Sequence, residues 1–360
     1  MIEGLKRSGV EVIICHEPLS RSTEERIGLT RGGWKRLHFL FHALKVYLRL
    51  LFQYFSVGNY DVMVIGYPGL FDAFLARLLS FLRGKPLVWD VFMSVYLVAL
   101  ERKLDQDSPF TVNMLRRIEK SALRQPDLLI QDTTSYVEWL SSTYGVLAEK
   151  FRLVPTGADD RVFFPQKVEV VTTNDFVVLY YGTYIPNHGV QVIIKAAHIL
   201  EKDPSIRFMF IGQGPDQPLA EQLAKELHLS NIIFVDWLEK SELTQYIARA
   251  NLCLGAFGDT PQSLMTVQNK IFECLAMRKT VVTGVSVATQ EAFLNDIHLA
   301  MCERTPESLA ATIRQLRNNP EHCQQLADAG WKLFHEHYDL QHIGLKFSTI
   351  LQELIGSQNT

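Results

Sequence analysis

Cysteine is scarce in this sequence, with five in 360 residues: Cys15, Cys253, Cys274, Cys302 and Cys323. They form no CxxC and no Cys/His pair at metal-ligand spacing. That excludes a disulfide framework or a zinc module and fits cysteine as core filler in a reducing compartment. Charge imbalance is slight: 36 Lys and Arg stand against 39 Asp and Glu, a formal −3. No basic excess of the kind a general nucleic-acid binder carries is present. No window reaches ~18 uncharged apolar residues, so no transmembrane helix is expected. Residues 1–6 and the short apolar run after them do not read as a secretory leader. There is no repeat and no low-complexity tract. Asp105-Gln106-Asp107 spells a D-x-D, read here as a solvated loop rather than a metal site. Neither a metal nor a resident cofactor is expected.

What is present is a globular composition, 47% apolar and 21% charged, as in soluble proteins. A chain of this length exceeds what one core normally holds, which predicts two domains. Residues 2–8 read as a helix closed by Gly9, and 10–15 as a strand. Strands at 62–65, 87–89, 128–131 and 151–154 then alternate with helices at 70–82, 113–123 and 135–144. This alternation predicts a parallel sheet covered on both faces, with ligands beyond the carboxyl ends of the strands. Asp90 stands at such an end, where an aspartate serves either a ligand or a turn.

Residues 34–55 are amphipathic. Lys35, His38, His42, Lys45, Arg49 and Gln53 recur at spacings of three and four within an otherwise apolar run, and 31–60 holds five Lys and Arg but no acid. Two readings stand: a helix on an anionic membrane surface, or one packed on the first domain with its basic edge solvated.

The second half opens with a strand at 176–181, the loop Gly182-Thr183-Tyr184-Ile185-Pro186-Asn187-His188-Gly189 and a helix at 190–200. A strand at 207–211 leads to Gly212-Gln213-Gly214-Pro215, a G-x-G placed between strand and helix. Further strands fall at 232–235, 252–256, 280–283 and near 299–302. Helices fall at 241–249, with Ser241 as cap, at 269–277, with Asn269 as cap, at 287–293 and within 306–338; 340–355 runs back toward the first domain. Lys270 and Glu273, three apart, share one helix face near its positive end. Free N–H groups and Lys270 suit a diphosphate, and Glu273 can accept from ribose hydroxyls. The plain alternative is an i, i+3 ion pair on an ordinary amphipathic helix.

Three stretches carry a resemblance. NKIFECLAM with KTVVTG (residues 269–284), GTYIPNHG (182–189) and Val154-Pro155-Thr156-Gly157-Ala158-Asp159 with Phe163-Phe164-Pro165 resemble the donor helix, phosphate loop and interdomain crossover of family 4 glycosyltransferases. The resemblance spans residues 2 to about 352. It implies an α/β chain of GT-B fold, two Rossmann-like domains facing each other across a cleft. The first would lack its first strand, since the chain opens on the helix that normally follows it. The domains implied are 1–165 on the acceptor side and 166–338 on the nucleotide-sugar side, with 339–360 returning to the first. Departures are visible. Met265 stands where the commoner two-glutamate motif has its first glutamate, Thr183 and His188 replace an Arg and a Lys, and Phe92 occupies a histidine position.

The implied function is retaining transfer of a sugar from a nucleotide-sugar donor to a glycan or lipid-linked acceptor, in cell-surface polysaccharide or glycolipid synthesis. By the resemblance, Asp90, His188 and Lys270 carry the chemistry, with Ser94 as the alternative to Asp90. Gly182, Thr183, Gly212, Gly214, Trp237, Asn269, Lys270 and Glu273 bind the donor. The expected location is cytoplasmic, with a peripheral site on the inner face of the plasma membrane through 34–55. The competing reading is a catalytically weak or inactive nucleotide-sugar binder, motivated by the same replacements.

Overall fold

The computed structural model of the chain describes residues 1–18, 33–167 and 175–358. The first part holds α1 (Ile2–Arg7), α2 (Gly33–Ser56), β1 (Met63–Ile65), α3 (Asp72–Leu82), β2 (Leu87–Asp90), α4 (Val95–Glu101), α5 (Leu104–Asp107), α6 (Pro109–Ala122), β3 (Leu128–Gln131), α7 (Thr134–Tyr144) and β4 (Phe151–Leu153). The second holds β5 (Phe176–Tyr181), α8 (Val190–Ile199), β6 (Ile206–Ile211), α9 (Gln217–Glu226), β7 (Ile232–Val235), α10 (Lys240–Arg249), β8 (Leu252–Leu254), α11 (Pro261–Met265), α12 (Asn269–Ala276), β9 (Thr280–Gly284), α13 (Val287–Ala292) and β10 (Ala300–Cys302). Three helices close the chain: α14 (Pro306–Asn318), α15 (Pro320–His337) and α16 (Leu340–Gln358).

Strands such as β3 (LLIQ) and β9 (TVVTG) are buried along their whole length, as strands covered by helices on both faces must be. They form two sheets, β1-β2-β3-β4 and β10-β9-β8-β5-β6-β7, with every pairing parallel. In the second, the chain runs outward from β5 through β6 to β7, then returns to β8 on the other side of β5. The reversal lies between β5 and β8, and a crevice opens there beyond the strand ends.

The C-terminal helix does return to the first sheet. Ile343, Phe347, Ile350 and Leu351 of α16 join Leu5, Val88, Leu128 and Ile130 in one core cluster. It crosses α1 backbone to backbone: a Cβ on Gly344 would stand 2.0 Å from the Gly4 carbonyl oxygen.

Several local readings are corrected. Residues 10–15 pair with no strand among the described residues; Ile13 and Ile14 are exposed, while Val10 and Val12 pack on the sheet. Among the described residues the first sheet therefore begins at β1, whose outer edge has no neighbour. Ser241 lies inside α10, whose cap residue is Glu239. Asp105 and Asp107 sit on the short exposed helix α5 rather than in a loop, and the described residues contain no cluster able to hold a metal ion.

Helix α2 satisfies neither of its two readings alone. Val46 and Tyr54 are buried, and Tyr47 donates to Asp72 of α3 at 2.9 Å. Yet Phe41, Leu44, Leu48, Phe52 and Phe55 are exposed beside His42, Lys45 and Arg49. Gln53 is drawn inward to Glu17. The side chains of Lys35 and His38 lie outside the described residues. No described helix is long and apolar enough to cross a membrane.

Candidate active site

The site grows out of the register of β5 and β6. They end level, Tyr181 opposite Ile211, so the loops beginning at Gly182 and Gly212 leave adjacent strand ends. Gly182 (φ +151°) and Gly212 (φ +127°) hold conformations that side chains avoid. A Cβ on Gly212 would lie 2.1 Å from the Gly182 oxygen, and one on Gly214 1.6 Å from the Thr183 oxygen. These glycines let the two loops nest against each other. Gly182 faces inward: its Cβ position lies 2.9 Å from His188 Cε1 and 3.0 Å from Lys270 Nζ.

His188 comes to this point on a single 3-10 turn, Pro186–His188, closed by Gly189 in the left-handed region. The turn is tied across the crevice, where Phe257 N–H donates to the His188 carbonyl at 2.9 Å. Lys270 comes from the first turn of α12 on the far side. The residue before that helix, Gln268, caps nothing with its side chain, and Asn269 is its first residue and exposed rather than its cap. The leading N–H groups of α12 thus have no side-chain acceptor among the described residues at the positive end of the helix.

Lys270 and Glu273 share a face, as their spacing requires, but do not form the plain ion pair. Glu273 accepts from the Tyr181 hydroxyl at 2.8 Å. Lys270 Nζ lies 4.4 Å from the Tyr180 ring centroid and 3.4 Å from His188 Nδ1. Burial brings the Lys270 pKa down to about 7, opposed by Cys274 and Glu273. Burial and the Lys270 charge hold His188 far below the usual imidazole range. Burial also raises the Glu273 carboxyl, against its bond from Tyr181. The arrangement places a neutral imidazole and a cation of adjustable charge beside an open helix start, which suits an anion arriving with its own charge.

The other wall is the carboxyl edge of the first sheet. Asp90 ends β2 opposite Ile130. It caps no helix; burial pushes it up to about 6, against the nearby Met1 ammonium. Phe92 holds φ +52° and sets its ring edge-on to Tyr67 at 5.5 Å. Ser94 is otherwise engaged: it accepts from Leu97 N–H as the cap of α4 and donates to Glu119 at 2.7 Å. That corrects the expectation that Ser94 could substitute for Asp90.

Residues that sequence reasoning missed complete the picture. Tyr180 and Tyr181, read only as strand, line the Lys270 pocket. Glu119 gathers Ser94, Val95 N–H and the Tyr144 hydroxyl beneath α4. Arg304 ties the Gly258 carbonyl, Ser263 and the Val285 carbonyl together. Asp132, just past β3, has both carboxylate oxygens buried without a well-directed partner, and burial raises it to about 7. It lines a cavity of about 410 Å³ between the domains, with Thr156, Phe272, Glu291, Tyr338 and Lys346. Phe272 lies two positions from Lys270, about 200° round α12, so this cavity is on the opposite side of the helix from Lys270.

Of the residues read as site residues, Gly182, His188, Lys270 and Glu273 converge, with Gly212 and Gly214 supporting the loop. Thr183 and Asn269 are exposed at its rim. Trp237, in the loop after β7, is 54% exposed and touches none of them through a side-chain hydrogen bond or ring contact. Asp90 belongs to the opposite wall.

Comparison with known proteins follows the same division. Residues 1–162 match the family model for Glycosyltransferase Family 4, and residues 175–319 the one for Glycosyl transferases group 1. Together these matches take in most of the chain, which belongs to the family 4 glycosyltransferases. An MMP alpha-(1->4)-mannosyltransferase from Mycolicibacterium hassiacum is 22% identical over 247 residues, 66% of this chain but only 57% of the relative. Among solved structures, sucrose-phosphate synthase from Thermosynechococcus elongatus matches with a TM-score of 0.70 at 16% identity, over 88% of this chain and 79% of the other. HepE from Anabaena, in complex with UDP and glucose, matches with a TM-score of 0.67 at 16% identity, over 89% and 83%. At these identities the likeness is one of fold, and the fold is GT-B.

Proposed function

We propose that the protein transfers a sugar, hexosyl or related, from a nucleotide-sugar donor to a glycan or lipid-linked acceptor, with retention at the anomeric carbon. The observation that carries this reading is the convergence of Gly182, His188 and Lys270 on the open N-terminus of α12. Helix N–H groups and Lys270 meet the diphosphate, and His188 donates a further hydrogen bond. Glu273, with one oxygen held by Tyr181, offers the other to ribose. Charge developing on the departing diphosphate is drawn to Lys270, which takes up a proton as the anion binds. Asp90 positions the acceptor hydroxyl from the first domain. Retention by front-face displacement needs no pair of carboxylates at glycosidase spacing.

The domain limits we adopt are 1–165, 166–338 and 339–360. The exposed apolar and basic face of α2 supports a peripheral position on an anionic cytoplasmic membrane surface, near a lipid-linked acceptor for cell-surface polysaccharide or glycolipid synthesis. The second reading, a nucleotide-sugar binder of little activity, is favoured by Met265, Thr183 and Phe92 in place of groups the family usually carries.

A thermal-shift panel of UDP, GDP, ADP, TDP and CMP tests the donor site. UDP comes first because a structural relative, HepE, binds it. A nucleotide at ~100 times its dissociation constant should add ~2.7 kcal/mol of stability. Glu273→Ala should weaken that binding. No shift with any nucleotide would sink the donor-site reading. A shift without sugar transfer to any acceptor would favour the binder.

A further inference from the structure

Tyr180 is wholly buried, and its hydroxyl lies 2.9 Å from His188 Nδ1. A phenol has one proton to give. Among the described residues His188 Nδ1 is the acceptor that this hydroxyl reaches, so its proton is directed at Nδ1. The second group facing Nδ1 is Lys270 Nζ at 3.4 Å, which when charged offers only donors. Two donors on one ring nitrogen leave it as a lone pair, and the single proton of a neutral imidazole must then sit on Nε2. The Gly182 Cβ position lies 2.9 Å from Cε1 and 3.1 Å from Nδ1, which leaves Nε2, on the other side of Cε1, as the second ring nitrogen beside the Gly182 loop. Nε2 hydrogen-bonds to no described residue.

We infer that Tyr180 is a positioning residue that locks His188 as the neutral Nε2–H tautomer, so that His188 presents a hydrogen-bond donor, never a base, to the ligand in the Gly182 loop. The role toward a ligand rests on the donor site proposed above; the tautomer does not. No covalent step is involved. The Tyr180 proton stays on its oxygen, and the imidazole keeps its proton through binding and release. The same buried ring meets the Lys270 ammonium with its face, so one side chain orients both groups that meet the anion.

The test is a long-range ¹H–¹⁵N correlation spectrum of protein labelled at histidine, with His188→Gln used to assign the His188 signals. The wild type should show one protonated nitrogen, Nε2, and one bare nitrogen, Nδ1, unchanged from pH 6 to pH 9. Tyr180→Phe keeps the ring and the packing, as an unchanged melting temperature would show. It should yield a mixture of tautomers and UDP binding about fivefold to tenfold weaker. An Nδ1–H form or an imidazolium in the wild type would overturn the inference, and so would an unaltered tautomer in Tyr180→Phe. Wild type that shows the Nε2–H form but binds no nucleotide would leave the Tyr180 role standing and remove the donor site instead.

Discussion

Lys270 sets the charge of the site, because it is buried among the rings of Tyr180 and Tyr181 with its pKa near 7. An exposed lysine titrates near 10.4. Between pH 7 and ~10 the unfolded chain therefore holds a proton that the folded one has lost, and this residue makes stability rise with pH across that window. Diphosphate binding at the proposed donor site should have the opposite sense, because that reading requires the protonated form. UDP affinity should be flat below pH 7 and fall by up to ~tenfold per pH unit above it. Titration calorimetry from pH 6.5 to pH 9 would show this as proton uptake on binding, and Lys270→Met should abolish the slope. A wild-type affinity independent of pH would contradict the assignment. Lys270 and Glu273 were legible in the sequence because i, i+3 spacing alone puts them on one face. Tyr180, Tyr181 and Asp132 were not. A tyrosine in a strand or an aspartate after one looks ordinary until its neighbours are known.

Among the elements, the nested loops after β5 and β6 are the least tolerant. Gly214→Ala would drive a Cβ into the Thr183 carbonyl. We expect a loss of about 1–3 kcal/mol, with nucleotide binding weakened as the Gly182 loop is pushed away; denaturant melts and UDP titration would measure both. A variant as stable as wild type would show that the loops do not nest. Helix α2 is tested by charge. Lys45→Glu with Arg49→Glu should release the protein from anionic vesicles in a flotation assay while leaving UDP binding intact; continued flotation would refute the membrane reading. Helices and strands were largely readable from periodicity. Caps were less so: Ser241 and Asn269 are good cap residues by type, yet each lies just inside its helix, because where the chain turns in is set by tertiary packing as well as by type. The reading of 10–15 as a strand failed for a related reason. An apolar alternating run makes a strand only where a sheet edge receives it.

At the scale of the molecule, the domains meet through few polar contacts. Thr133 donates to the Met265 carbonyl at 2.6 Å, and Tyr136 to Gln262 at 3.3 Å. Glu291 of α13 accepts from Thr134 N–H and Ser135 N–H, so the second domain caps α7 of the first. Glu291→Ala should cost about 1 kcal/mol and loosen the closed arrangement, seen as a larger radius of gyration by X-ray scattering without nucleotide. An unchanged radius would mean that closure rests on other contacts. The sequence by itself determined the two parallel α/β units and the helix carrying Lys270 and Glu273, since strand–helix alternation and residue spacing are local properties. Only the tertiary structure decided that His188 and Lys270 meet over Tyr180, that Ser94 is consumed by a cap, and that Asp132 faces an interdomain cavity. His188 and Lys270 are 82 residues apart in sequence, and Ser94 and Glu119 are 25 apart. Their pKa values and proton positions follow from burial and proximity, which exist only once both sheets are assembled.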